Sequence, residues 1–277
     1  MNFLNALFFG IIQGLTEFFP VSSSAHLSVI GNLFGLVSSQ YNFRMFSVFA
    51  HFGTVLALLI TYWDDLLDMV YELILMFTAS SNPQYKRERY PSARLLLMLA
   101  VATLPLVLVI SLNSYIDRLY SSNIYIGVAL FLTGCVLFLS GKFSGCRTTE
   151  KNLTILDALI IGICQAVSSI PGLSRVGITA TAGLANGLSP EFALKFAFLL
   201  SIPSSLGGNL IHLIDASNAG FAWSEVPMCL VGMAASMLTG LFSIKVMKAV
   251  AKRGAFEGFS YYCWVVGILF IILTMIF

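Results

Sequence analysis

The sequence predicts an all-α integral membrane protein of six full transmembrane helices and two re-entrant helical hairpins, arranged as an inverted-topology repeat in a single membrane domain, 1–277. Three observations predict it. Of the 277 residues 58% are hydrophobic and only 10% charged, whereas a soluble domain carries roughly a quarter charged residues. Six apolar stretches, near 43–63, 93–112, 124–141, 192–214, 226–247 and 259–276, suit the ~20 residues that a bilayer crossing needs. Two more apolar segments, 3–36 and 154–188, are broken in their middles by Phe19-Pro20-Val21-Ser22-Ser23-Ser24 and by Ile170-Pro171-Gly172-Leu173-Ser174-Arg175.

Each element follows in turn. Met1-Asn2-Phe3-Leu4 has no basic region and no small-residue cleavage site, so no signal peptide is expected to be removed. The broken segment 3–36 cannot cross as one helix, and non-helical backbone at membrane depth survives only where protein or a wet cavity satisfies it. The two breaks are therefore expected to face one another or a shared cavity. After the first span, Asp64, Asp65, Asp68 and Glu72 alternate with Leu66, Leu67, Val70 and Leu73 at helical spacing, which fits a helix at the inner interface or a solvated face.

Eleven of the 15 basic residues fall in or beside three loops: Lys86, Arg87, Arg89 and Arg94; Lys142, Arg147 and Lys151; and Lys245, Lys248, Lys252 and Arg253. Those loops are expected on the cytoplasmic side. The alternate loops, around 113–123 and 215–225, carry only Arg118, so both termini lie outside. The first hairpin then enters from outside and the second from the cytoplasm. Gly10-Ile11-Ile12-Gln13 before Pro20 matches Gly162-Ile163-Cys164-Gln165 before Pro171. Two halves follow, about 1–141 (hairpin 3–36) and about 154–277 (hairpin 154–188), in the pattern of secondary transporters whose sites form where broken helices meet. Cys135, Cys146, Cys164, Cys229 and Cys263 have neither metal nor disulfide spacing and are packing residues. A formal charge of +2 offers no polybasic surface, which excludes nucleic-acid binding.

The chemistry gathers at the breaks. Gln13 and Glu17, four apart, share one helix face, and Ser22, Ser23, Ser24 and His26 follow Pro20. Glu17 is an intramembrane carboxylate with no basic neighbour in sequence, a functional candidate by its cost alone. The second break supplies Ser174, Arg175 and Thr179. Glu17 and Arg175 from opposite hairpins can meet, as a structural ion pair or as parts of a site. If Ser22–Ser24 and Gly172–Ser174 open the second arms, free backbone N–H groups and helix dipoles point into one cavity with the Arg175 fork, an arrangement that binds phosphate. His51 and His212 read as structural, although His51 lies early enough in its span to reach the cavity.

The run from Gln13 to His26, with Pro171-Gly172-Leu173-Ser174-Arg175-Val176-Gly177, resembles the two signatures of the undecaprenyl pyrophosphate phosphatases, the bacitracin-resistance membrane family, and the resemblance covers essentially the whole chain. It implies hydrolysis of a C55 polyprenyl diphosphate at the outer face of the bacterial cytoplasmic membrane, with a divalent cation, magnesium or calcium. Carried over residue by residue, it implies Glu17 as metal ligand or general base, Gln13 as a second metal position, Ser23 as nucleophile or phosphate donor and His26 as acid/base. Ser174 and Arg175 grip the diphosphate, with Gln13, Ser22, Ser24 and Thr179 as further substrate contacts. Ala25 stands where the family usually has Gly, Val176 where it has Ser, and His51 where it more often has Gln.

The expected function is a lipid diphosphate phosphatase, with Ser23 and a water both open as nucleophile. The expected partners are the polyprenyl diphosphate lipid and membrane lipids, and a homodimer is an open expectation. A polyprenyl-phosphate transporter is the rival, because the repeat is a transporter architecture.

Overall fold

The computed structural model of the chain describes residues 1–33, 40–78, 90–110, 122–143, 153–218 and 223–276. Cys146, Lys86, Arg87, Arg89, Arg118, Arg147 and Lys151 lie outside the described residues, as does the side chain of His212. Among the described residues there are eleven α-helices and no strand. The first broken segment forms α1 (Phe3–Phe18) and α2 (Ser23–Leu33), followed by α3 (Gln40–Thr61), α4 (Trp63–Thr78), α5 (Pro91–Ile110) and α6 (Asn123–Ser140). The second forms α7 (Ile155–Val167) and α8 (Arg175–Ala185), followed by α9 (Pro190–Asn218), α10 (Val226–Lys252) and α11 (Gly258–Ile276). Six of them, α3, α5, α6, α9, α10 and α11, are long and apolar enough to cross a membrane, at the six stretches that hydropathy marks. The protein is a multi-pass membrane protein.

Two details differ from the sequence reading. Lys245, Lys248 and Lys252 lie on the last turns of α10 rather than in a loop, because lysine is a good helix former whose long stem lets the charge leave an apolar span and favours a helix C-terminus. On α4 the acids are partly used internally. Asp65 pairs with Lys195 Nζ at 2.7 Å, and Glu72 Oε2 accepts the N–H groups of Ser92 and Ala93 at 2.6 and 3.0 Å, an anion on the N-terminus of α5. The opposite stripe of Trp63, Leu67, Val70, Ile74 and Phe77 is exposed.

With no hydrophobic drive between helices in lipid, close packing needs small residues at the contacts. Gly10 and Gly14 of α1 lie against Gly232, Ser236 and Gly240 of α10, and a Cβ at Gly10 would sit 2.5 Å from Gly232 O. Gly162 of α7 lies as tightly on Ala102 of α5. Gly127 of α6 and Gly267 of α11 face one another in the same way. Phe46 of α3 meets Gly232 and Ala57 meets Gly240, so α1, α3 and α10 start at one end of the bundle. Arg94 of α5 donates to Leu153 O beside the start of α7, at the end where α3 passes into α4.

Candidate active site

Both breaks end in a serine that caps the next helix. Ser22 Oγ accepts Ala25 N–H at 3.3 Å, and Ser174 Oγ accepts Gly177 N–H at 3.1 Å, each meeting an N–H that the helix start would leave orphaned. The turns are tight: Ser22 has φ +64° and Gly172 φ +94°, the left-handed region that glycine enters freely and serine rarely. The breaks touch, since Gly172 N–H donates to Ser24 Oγ at 3.3 Å. The neighbouring spans serve them. Thr133 of α6 accepts Ser174 N–H at 3.1 Å and faces Gly172 O at 3.3 Å, and Cys263 of α11 donates to Pro20 O at 3.6 Å. Backbone polarity at both breaks is thus met by protein, as the low-dielectric setting demands.

Between the breaks lies a cavity of about 390 Å³. Glu17, Ser22, Ser23, Ser24 and His51 line one part of it; Ser174, Arg175, Ser205 and Asn209 line another, with Arg44 also on its wall. Glu17 Oε2 collects three donors or partners: Ser23 Oγ donates at 2.6 Å, Gln13 Nε2 donates at 3.0 Å, and His51 Nε2 lies at 3.6 Å. His51 is oriented by Nδ1, which faces Ser47 O at 2.8 Å. Arg175 Nη1 donates to Ser205 Oγ at 2.7 Å. A serine hydroxyl held by a carboxylate is poised to lose its proton, and a guanidinium in the same cavity offers planar donors to a phosphate.

The expected site residues therefore separate. Glu17, Ser23, Arg175, Ser22, Ser24 and Ser174 converge on the cavity, with Gln13 directly behind Glu17. Thr179 does not join them: its hydroxyl donates to Arg175 O at 2.7 Å within its own helix, and it is buried. His26 is not brought to Glu17 or to the cavity wall. Its Nδ1 lies 2.8 Å from Ser22 O, its Nε2 2.8 Å from Tyr262 Oη, and its ring stacks on Tyr262. A carbonyl only accepts, so Nδ1 carries the proton and Nε2 accepts from the tyrosine. His26 thus holds the carbonyl of Ser22, the residue before Ser23. Sequence reasoning does not find Tyr262, Thr133 or Ser205, and reads His51 as structural but early enough in its span to reach the cavity, where the structure puts it.

If His26 positions the break, His26→Ala should lower kcat about tenfold with KM within about twofold, and Tyr262→Phe about fivefold, the loss of one ~1 kcal/mol bond. His26→Asn keeps a donor near the Nδ1 position and should recover most of the rate. Steady-state kinetics of purified variants check this; a loss of 10³ or more in both His26→Ala and His26→Asn would mean that the ring itself takes part in proton transfer.

A bundle of apolar spans enclosing a carboxylate–serine pair and an arginine between two broken helices defines a multi-pass membrane protein with a buried, anion-handling site. The chain belongs to the bacitracin resistance protein BacA family, whose family model matches residues 6–269. It is 36% identical over 278 residues to a protein of Halothermothrix orenii named undecaprenyl-diphosphatase, covering 100% of both chains. It is 34% identical to one of that name from Carboxydothermus hydrogenoformans, covering 99% of this chain and 98% of the other. An undecaprenyl-diphosphatase of Methanobrevibacter smithii is 36% identical over 97% of this chain and 96% of its own.

Proposed function

We propose that this chain hydrolyses undecaprenyl diphosphate to the monophosphate and inorganic phosphate, recycling the carrier lipid for cell-wall synthesis and conferring bacitracin resistance. The observation that carries the reading is the 2.6 Å hydrogen bond from Ser23 Oγ to Glu17 in a cavity shared with Arg175, in a chain that matches the named diphosphatases from end to end. A pure transporter has no need of such a pair, and the relatives do not favour that reading.

In the mechanism that this supports, Glu17 Oε2 takes the Ser23 proton while Oγ bonds to the terminal phosphorus. The bond from that phosphorus to the bridging oxygen breaks, and its electron pair leaves with the lipid monophosphate. Arg175, on the wall of the same cavity, faces the growing negative charge. Water then attacks the phosphoserine phosphorus, one of its protons passes to solvent, and the proton on Glu17 returns to Ser23 Oγ.

The divalent cation implied by the family fits the residues present. Glu17 Oε1 has no hydrogen-bond partner among the described residues, and Gln13 Oε1 is a buried amide oxygen without a donor. Magnesium-type sites use one or two such oxygens and take the rest from water and phosphate. Glu17 and Gln13 would hold the ion, which when bound supplies positive charge against the diphosphate. Released phosphate from purified protein and undecaprenyl diphosphate is expected to be abundant, to fall at least tenfold with chelator and to return with magnesium or calcium. No release under any of these conditions refutes the function.

The same reading holds that α1–α2 and α7–α8 are re-entrant hairpins of an inverted repeat, halves about 1–141 and 154–277, in a bacterial cytoplasmic membrane with both termini and the active-site mouth outside. Its support is the exchange of partners, α1 on α10 and α7 on α5, with glycines at matching positions Gly10 and Gly162, together with the placement of basic residues. With native cysteines removed, Asn123→Cys is expected to react with an impermeant thiol reagent added to intact cells and Lys142→Cys to be protected; the reverse pattern overturns the orientation.

A further inference from the structure

The wall contributed by α9 carries polar groups that the mechanism above leaves without work. Pro203 interrupts the helix ladder there, and two nearby hydroxyls serve their own helix: Ser201 donates to Phe198 O at 2.7 Å and Ser204 to Ser201 O at 3.1 Å. Ser205 is different. Its Oγ accepts Arg175 Nη1 at 2.7 Å, and its own proton meets no acceptor among the described residues. Asn209, four residues on and on the same helix face, is only 6% exposed, lines the cavity, and its Nδ2 donates to nothing in the described structure. Burying an amide N–H without a partner is costly. Beside these two groups a Cβ at Gly208 would touch nothing within 4 Å, so the cavity is open at that point. Arg175, Ser205 and Asn209 form a row of donors, and no carboxylate belongs to that wall.

We infer that Arg175, Ser205 and Asn209 form a subsite for the phosphate that stays on the lipid, the one not transferred. The inference rests on the diphosphatase reading. Ser23 attacks the terminal phosphorus, so the terminal phosphate occupies the Glu17–Ser23 part of the cavity. The lipid-linked phosphate then needs a second place, rich in donors, and it gains negative charge as the bridging bond breaks. The α9 wall meets that need. Such a subsite makes the protein read a diphosphate rather than a monophosphate, and it is also where the lipid monophosphate rests before leaving.

The test is binding, which needs no turnover. The full chain in detergent is titrated with the non-hydrolysable farnesyl methylenediphosphonate, and farnesyl monophosphate and inorganic phosphate are each competed against it. Asn209→Leu removes the donor, and Gly208→Val fills the open space without meeting a protein atom at Cβ. Both are expected to weaken farnesyl monophosphate at least tenfold and to leave inorganic phosphate within about twofold. Unchanged farnesyl monophosphate affinity in the two variants, or a loss for inorganic phosphate as large as that for farnesyl monophosphate, overturns the inference. If wild-type protein releases no phosphate from undecaprenyl diphosphate, the function fails instead; active wild type with indifferent variants sinks the subsite alone.

Discussion

Arg175→Ala is expected to lower kcat/KM by at least 10³-fold, and Arg175→Lys by at least tenfold, with both variants inserting and purifying as the native chain does. Arg175 opens α8 directly after the Ser174 cap, and among the described residues its side chain donates to the hydroxyls of Ser204 and Ser205, at 3.5 and 2.7 Å. Arg175 forms no salt bridge among the described residues, and the fold should tolerate the change. Hydrogen bonds to a charged group are worth about 1.5–3 kcal/mol each, and two such bonds from one guanidinium to a phosphate account for a loss of that size. Lysine keeps the charge on a point and loses the planar fork. Rates for Arg175→Lys near those of the native protein would show that a point charge suffices.

The second large effect falls on the carboxylate–serine pair. Glu17→Gln cannot accept the Ser23 proton, and it is expected to cut kcat by 10³-fold or more, with folding preserved because the amide still meets Gln13 and Ser23. Ser23→Ala should be equally inactive if Oγ is the nucleophile. If a water attacks instead, Ser23 is a single donor to the phosphate, and Ser23→Ala should keep turnover about 10²-fold below the native rate. The two nucleophiles therefore differ in a number that steady-state assays read directly.

How much of this was legible beforehand depends on the range of the interaction. Spans show in the sequence because ~20 apolar residues are needed whatever their partners. The breaks show because Pro20, Pro171 and Gly172 act locally, and the serine caps follow from the chemistry of a helix start. Gln13, Glu17 and Ser23 were recoverable because helical spacing and a shared break bring them together. The contacts that the sequence does not show depend on packing between distant segments. His26 and Tyr262 are 236 residues apart, so nothing local could tell that the ring supports Ser22 O rather than facing Ser23. Thr133 meets the second break across 41 residues. His51 reaches Glu17 because α3 packs on α1 directly, Phe9 against Phe43 and Phe46, and through their shared partner α10. The acids of α4 read as an exposed row, yet Glu72 finds the start of α5 and Asp65 finds Lys195.

The central claim is that Ser23, activated by Glu17, attacks the terminal phosphate. The most direct measurement mixes the purified protein with undecaprenyl diphosphate carrying a terminal-phosphate radiolabel, quenches on the millisecond scale, and sequences the labelled peptide by mass spectrometry. The label is expected on Ser23 in wild type and absent in Ser23→Ala and Glu17→Gln. A wild-type protein that turns over without any labelled peptide, together with a Ser23→Ala variant that still releases phosphate, would contradict the claim.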